Sequence, residues 1–179
     1  MRKFLLPFLL PLCFAACTGS TTSTPAPAGN DSAAAATVTL PYTAAYSSNF
    51  VPGKQTDVAT VLESYKAWET GDMKALKATF SDTTSMTFPD GTTVKLTADS
   101  MATMAGKYRD SLSKVVLTFD AWTSNHSVDK NQDWVNVWYK EVDSYKTGKV
   151  DSTYYEDDNQ VKDGKIVWTS SHSQHYKKK

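Results

Sequence analysis

The chain has 179 residues, with 19 lysines and arginines against 19 aspartates and glutamates; that is long enough for one well-packed domain and leaves no basic footprint for nucleic acid. Aromatic residues make up 12% of it, enough to furnish a core.

The N-terminus carries Arg2 and Lys3, then an apolar run over residues 4–14, then the small pair Ala15 and Ala16. This is the pattern of a secretory signal, and the run is too short to span a bilayer. The stretch Phe14, Ala15, Ala16, Cys17 resembles a lipobox, which implies cleavage before a lipid-modified Cys17; the alternative is an ordinary secretory signal with Cys17 a bystander thiol. The expected divisions are a signal peptide over 1–16, a lipidated cysteine and flexible tether over 17–37, and a folded domain over 38–179. Loss of Arg2 and Lys3 with the leader takes the basic count from 19 to 17 against 19 acidic, a net charge of about −2. Cys13 leaves too, so no internal disulfide can form and stability must come from packing. The tether consists of Ser, Thr, Ala, Pro, Gly and Asn with the single acid Asp31, a composition that cannot bury enough surface to offset its ordering entropy. Its expected location is the cell envelope, with the lipid holding it to a membrane on the periplasmic side. Thr18 after the cysteine resembles the sorting pattern of outer-membrane lipoproteins. The C-terminal Lys177, Lys178 and Lys179 read as a solvated tail.

In the folded part, helical periodicity comes first. Val58, Val61, Leu62, Tyr65 and Trp68 recur at three- and four-residue spacing over 55–69, one apolar stripe that Gly71 ends. Asp72 caps a second, short helix reaching Phe80, with Leu76 and Phe80 inward. Residues 86–88 and 92–96 flank Pro89, Asp90 and Gly91 as a hairpin. Thr97 caps a third helix to about residue 111, with Met101, Met104 and Tyr108 on one side. Four extended segments close the chain at about 114–125, 133–145, 150–161 and 165–176, joined by turns at 129–131, 147–148 and 163–164. Helices followed by a meander define an α+β class, not alternating βαβ units.

The order of these elements, together with Glu69-Thr70-Gly71-Asp72, the segment 80–91 with its Pro89-Asp90-Gly91 turn, and Asp163-Gly164-Lys165-Ile166-Val167, resembles the nuclear transport factor 2-like superfamily, which includes SnoaL-like cyclases, ketosteroid isomerases and many bacterial lipoproteins. The likeness covers about residues 54–176. It implies a cone-shaped, curved antiparallel sheet wrapped around about three N-terminal helices, with an apolar pocket inside. On the strand from Asp133, Val135, Val137 and Tyr139 share one face, and Trp134, Asn136 and Trp138 the other; both faces call for cover. One suits the helices. The other suits a second copy, giving a homodimer through the sheet face, or the segment 38–51 with Tyr42, Tyr46 and Phe50.

Isomerases of the superfamily place a carboxylate base before the hairpin proline and a tyrosine on the first helix. Those positions fall here on Phe88 and Ser64, with Tyr65 one residue along and rotated by about 100°. No catalytic residue is therefore assigned, and the chain leans away from being an enzyme. His172 and His175, three apart on a strand, face opposite ways and make a poor metal pair; Asp129, Asn131 and Asp133 imitate the start of a calcium loop but lack its glycine and terminal glutamate, so neither metal nor cofactor is expected. Tyr65, Trp68, Phe88, Met101, Tyr108, Trp138 and Trp168 are the candidate lining of a site for a small apolar ligand. The Glu156-Asp157-Asp158 run reads as a solvated edge. The expected function is a non-catalytic envelope lipoprotein that binds a small apolar ligand or a protein partner. The alternative is an isomerase, dehydratase or cyclase using a strand histidine or carboxylate, such as a histidine with Asp120 or Glu156.

Overall fold

The computed structural model describes residues 39–174. The expected leader and tether with Cys17, together with His175 and Lys177, Lys178 and Lys179, lie outside the described residues. Among those described, no helix is long and apolar enough to cross a membrane.

Among the described residues there are three helices and seven strands, and the last four strands run consecutively, as the predicted meander requires. A short β1 (Phe50–Pro52) precedes α1 (Gln55–Thr70), α2 (Met73–Thr79), β2 (Phe80–Thr87), β3 (Thr93–Thr97) and α3 (Ala98–Arg109). Four strands follow: β4 (Leu112–Ser127), β5 (Gln132–Tyr145), β6 (Val150–Lys162) and β7 (Lys165–Gln174). They form one sheet in the order β1-β4-β5-β6-β7-β2-β3, antiparallel throughout except for β2 against β7. The fold is α+β, a curved and unclosed sheet with helices on one face.

Local chemistry sets the breaks. Gly71 ends α1 at φ 77°, a left-handed conformation that glycine adopts without steric cost. Asp72 then caps α2 by accepting from the Ala75 N–H at 2.9 Å, and Thr97 caps α3 by accepting from Ser100 at 3.2 Å. Asp90 accepts from the Thr92 N–H at 2.8 Å in the β2–β3 turn.

The stripe on α1 meets the inner face of the sheet. Val58, Val61 and Tyr65 form one buried cluster with Val135, Val137, Tyr139, Val161 and Ile166. Met101, Ala67 and Leu76 form a second among the helices. The β4 register slips between Phe119 and Ala121, leaving Asp120 as an extra residue that bends the strand. A similar slip beside Val161 and Ile166 resets the face of β7.

β1 was not expected as a strand. It pairs with the edge of β4, Phe50 opposite Ser127, and brings in Tyr46, which lies edge-on to Trp134 at 5.8 Å and accepts from its indole N–H at 2.9 Å. Tyr46 and Phe50 thus cover part of the outer face, while Tyr42 stays exposed.

Candidate functional site

The site grows from the period of β5. Val135, Val137, Tyr139, Glu141 and Asp143 fall on one face, so a row that begins apolar against α1 ends in two acids beside α3. β6 adds its own row, with Asp157 opposite Val137, Tyr155 opposite Tyr139, and Thr153 opposite Glu141.

At the deep end, Asp157 accepts from the Tyr65 hydroxyl at 2.7 Å and from the Tyr139 hydroxyl at 3.0 Å, both on Oδ2. The carboxyl is buried, and burial pushes its pKa up against the opposing pull of Tyr65, Ser171 and Tyr139. Burial and the Asp157 charge together hold both phenols well above their usual range. The Tyr65 ring packs edge-on against Tyr139 at 4.9 Å and Phe119 at 5.6 Å, and Tyr139 stacks on Tyr155 at 5.4 Å. These rings fill the middle of the inner face.

At the open end lies a hollow of about 190 Å³ whose walls include Tyr108, Glu141, Asp143, Tyr145 and Tyr155. Trp68 adjoins it, donating from its indole N–H to Glu141 at 3.1 Å and stacking on Tyr108 at 5.9 Å. Tyr108 donates to Asp143 at 3.2 Å and shares a 2.9 Å hydrogen bond with Tyr145. Burial first, then the charge of Asp143, raise Glu141 to about 8; the Trp68 bond only partly offsets this. Burial and the Glu141 charge push Tyr155 up to about 12. A carboxyl that titrates near 8 can give or take a proton at neutral pH.

The structure thus brings together Trp68 and Tyr108 at the hollow, with Tyr65 behind them. It separates the other candidates. Met101 is locked among the helices, and Phe88 sits half-buried past the end of β2. Trp138 and Trp168, expected inside, lie on the outer face. The parity of β5 sends Trp138 away from Tyr139, and the slip in β7 turns Trp168 against Trp134 at 5.4 Å. The sequence assigned no catalytic residue; the structure places the carboxyls of Asp157, Glu141 and Asp143 on the inner face.

Tyr65, and not Ser64, is the α1 residue that points its hydroxyl at an inner carboxylate; the Ser64 hydroxyl turns back to Val61 at 2.7 Å. The reading of Glu156-Asp157-Asp158 as a solvated run holds for Glu156; Asp158 is half-buried and accepts from Asn136, and the middle residue faces inward. Alternation along a strand was the signal that could have found it. His172 does come together with Asp120 and Glu156, around an outer depression of about 280 Å³, with its ring mostly in solvent and 3.9 Å from Asp158. His126 instead pairs with Asp133 at 2.7 Å, and Lys54 reaches the same carboxylate at 2.8 Å. Among the described residues, no group of three or more His, Cys, Asp or Glu is arranged to hold a metal.

Solved structures define the class of this architecture. The chain is similar to an LEH-like epoxide hydrolase of M. tuberculosis, with a TM-score of 0.58 and 10% identity over 67% of this chain and 84% of that one. It is similar to an NTF2-like protein from Burkholderia pseudomallei, TM-score 0.52 and 18% identity over 66% and 91% of the two chains. It also resembles a protein with a ketosteroid isomerase-like fold from Catenulispora acidiphila, in complex with trimethylamine, TM-score 0.52 and 12% identity over 63% and 83%. The fold is therefore NTF2-like. At such identities the likeness is one of architecture, and activity has to be read from the site itself. No protein-family model matches the sequence, and no curated protein matches it.

Proposed function

We propose that this chain is an envelope lipoprotein whose NTF2-like domain binds a small molecule in the hollow between α3 and strands β5 and β6. The carrying observation is the composition of that hollow: Glu141 and Asp143 lie on its wall with three tyrosines around them. Such walls favour a polar ligand over the apolar one that the aromatic content of the sequence suggested, because an apolar occupant would strip solvent from carboxyls and give nothing back. The hollow is smaller than a typical ligand cavity, so the ligand is small.

The tether reading rests on residues 1–37. Metabolic labelling with an alkyne fatty acid in a bacterial host should mark the full chain and leave Cys17→Ser unmarked; label on that variant would refute lipidation. The aromatic cleft formed by Tyr46, Phe50, Trp134 and Trp168 on the outer face supports a second proposal, pairing of two copies there, which sedimentation velocity tests directly. Native mass spectrometry of protein purified from its source tests the ligand. A small molecule should co-purify and be lost when Thr153→Trp fills the hollow.

One observation favours a catalytic second reading. Glu141, raised to about 8, is poised for acid–base work on whatever enters. If the co-purified molecule is converted on standing and Glu141→Gln stops the conversion without loss of binding, the domain is an enzyme of the isomerase, dehydratase or cyclase type.

A further inference from the structure

The outer face of the sheet carries an open cleft of about 560 Å³, walled by Tyr46, Phe50, Trp134 and Trp168. Trp134 stands nearly perpendicular to two of its neighbours, at 87° to Tyr46 and 84° to Trp168. The rings therefore build a corner and not a flat patch, and a concave aromatic surface suits a ligand with flat apolar faces of its own.

Between these walls the cleft is polar. Asn125 donates to Asn136 at 3.2 Å, and Asn136 donates in turn to Asp158. That chain of bonds fixes the three side chains and leaves some of their atoms over. Asp158 Oδ2 has the His172 imidazole 3.9 Å away, beyond hydrogen-bonding distance. Among the described residues, neither that oxygen, nor the Asn125 carbonyl oxygen, nor the Trp168 indole N–H has a hydrogen-bond partner. The buried side-chain atoms without partners are elsewhere, on Asp57, Asp143 and Asp157, so these three atoms are open to solvent and to a ligand. Two acceptors and a donor, positioned by a shared network beside aromatic rings, are more than an apolar groove needs.

The pattern continues along β5. Trp138 shares the outer face with Trp134 and Asn136, four residues and about 13 Å beyond Trp134. There it walls the depression of about 280 Å³ together with Glu156 and His172. Glu156 and His172 are a cross-strand pair, as are Asp158 and Ser170 two residues along. Aromatic rings and hydrogen-bonding groups thus alternate along one line of the sheet.

We propose that this line is a saccharide-binding groove, taking a neutral β-linked oligosaccharide whose rings lie against Trp168 and Trp138 and whose hydroxyls meet Asp158 and Asn125. A pyranose with equatorial hydroxyls has apolar C–H faces for the aromatic rings. Its hydroxyls both donate and accept, so one ligand serves a carboxylate, an amide carbonyl and an indole N–H together. A second copy packed on this face would dry those atoms without offering the same mixture. The groove is separate from the inner hollow, and the proposal stands whether or not the hollow holds a ligand.

The test is a titration of the full chain with cellotetraose and cellobiose, with cyclohexanol as the apolar control. The indole N–H resonances of Trp168 and Trp138 report on the groove, and that of Trp68 reports on the hollow. Cellotetraose should saturate by tens of millimolar, moving Trp168 and Trp138 and leaving Trp68 in place, and cellobiose should bind at least threefold more weakly. Asp158→Ala should weaken cellotetraose at least fivefold, and Trp138→Ala should bring it down to the affinity of cellobiose. No saturation by cellotetraose, equal affinity for the two sugars, shifts matched by cyclohexanol, or unchanged affinity in Asp158→Ala would overturn the proposal. If Asp158→Ala fails to fold, Asn125→Ala must weaken binding severalfold, and unchanged affinity there overturns it equally. A dimer in sedimentation velocity that cellotetraose does not disperse gives this face to a second copy and ends the saccharide reading. Shifts confined to Trp68 place the sugar in the hollow and end it too.

Discussion

The Tyr65 hydroxyl and Asp157, 92 residues apart in the chain, meet at 2.7 Å in the buried middle of the domain. Tyr139 donates to the same oxygen, so two phenols hold one carboxyl that the interior would rather keep neutral. Asp157→Asn keeps an acceptor for both hydroxyls and removes the ionisable group. It should unfold at denaturant concentrations near those of the parent below about pH 3.8, the ordinary value of the group, and at higher ones well above it. Asp157→Ala strands both hydroxyls and should cost about 2–4 kcal/mol in either range. Urea melts at one pH in each range separate these outcomes.

Glu141 gives a pH dependence of its own. Its folded pKa, about 8, lies above its ordinary value of 4.5, so the folded state binds the proton more tightly. Its contribution is complete below about pH 4.5 and is lost as pH rises through about 8. Stability should fall by a few kcal/mol across that window, and Glu141→Gln should flatten the fall. A slope unchanged by the substitution would assign it to another group.

Gly53 shows why the chain before α1 has a fixed course. A Cβ there would meet the Ser124 hydroxyl at 2.2 Å and the Asn125 main-chain nitrogen at 2.9 Å, and the latter cannot swing aside. Gly53→Ala should therefore part β1 from β4, exposing the amides of Phe50, Val51 and Gly53 to hydrogen exchange while β5 and β6 stay protected.

Tyr46 links that same segment to the sheet, accepting from Trp134 and donating to Gln132. Tyr46→Phe should leave global stability within about 1 kcal/mol, because the contact is exposed. The fluorescence of Trp134 should nonetheless shift, since its indole N–H loses a partner to water.

Much of the domain was legible wherever one residue dictates one backbone event. The stripe on α1, the stop at Gly71, the caps Asp72 and Thr97, and the turn at Gly91 follow from side-chain periodicity and local hydrogen bonding, and each lies where the spacing puts it. The site was harder to read. Which face of β5 turns inward depends on α1 packing on the valine row, and that long-range contact sends Glu141 and Asp143 inside with it. Strand irregularities hid the rest. An extra residue in β4 and another in β7 flip the alternation partway along, so Trp168 could not be placed by counting from its turn. In Glu156-Asp157-Asp158, composition suggests water while a period of two buries the middle acid, and packing follows the period.

The parallel pairing of β2 with β7 has a consequence for biosynthesis. Met86 and Thr87 take their partners from Thr169 and Ser170, near the far end of the chain. A polypeptide emerging N-terminus first can form its helices and its first hairpin, yet that hairpin has no sheet to join until the last strand is delivered. Ribosome-stalled or truncated products ending before β7 should be sensitive to protease throughout, because the earliest and latest segments complete the domain together.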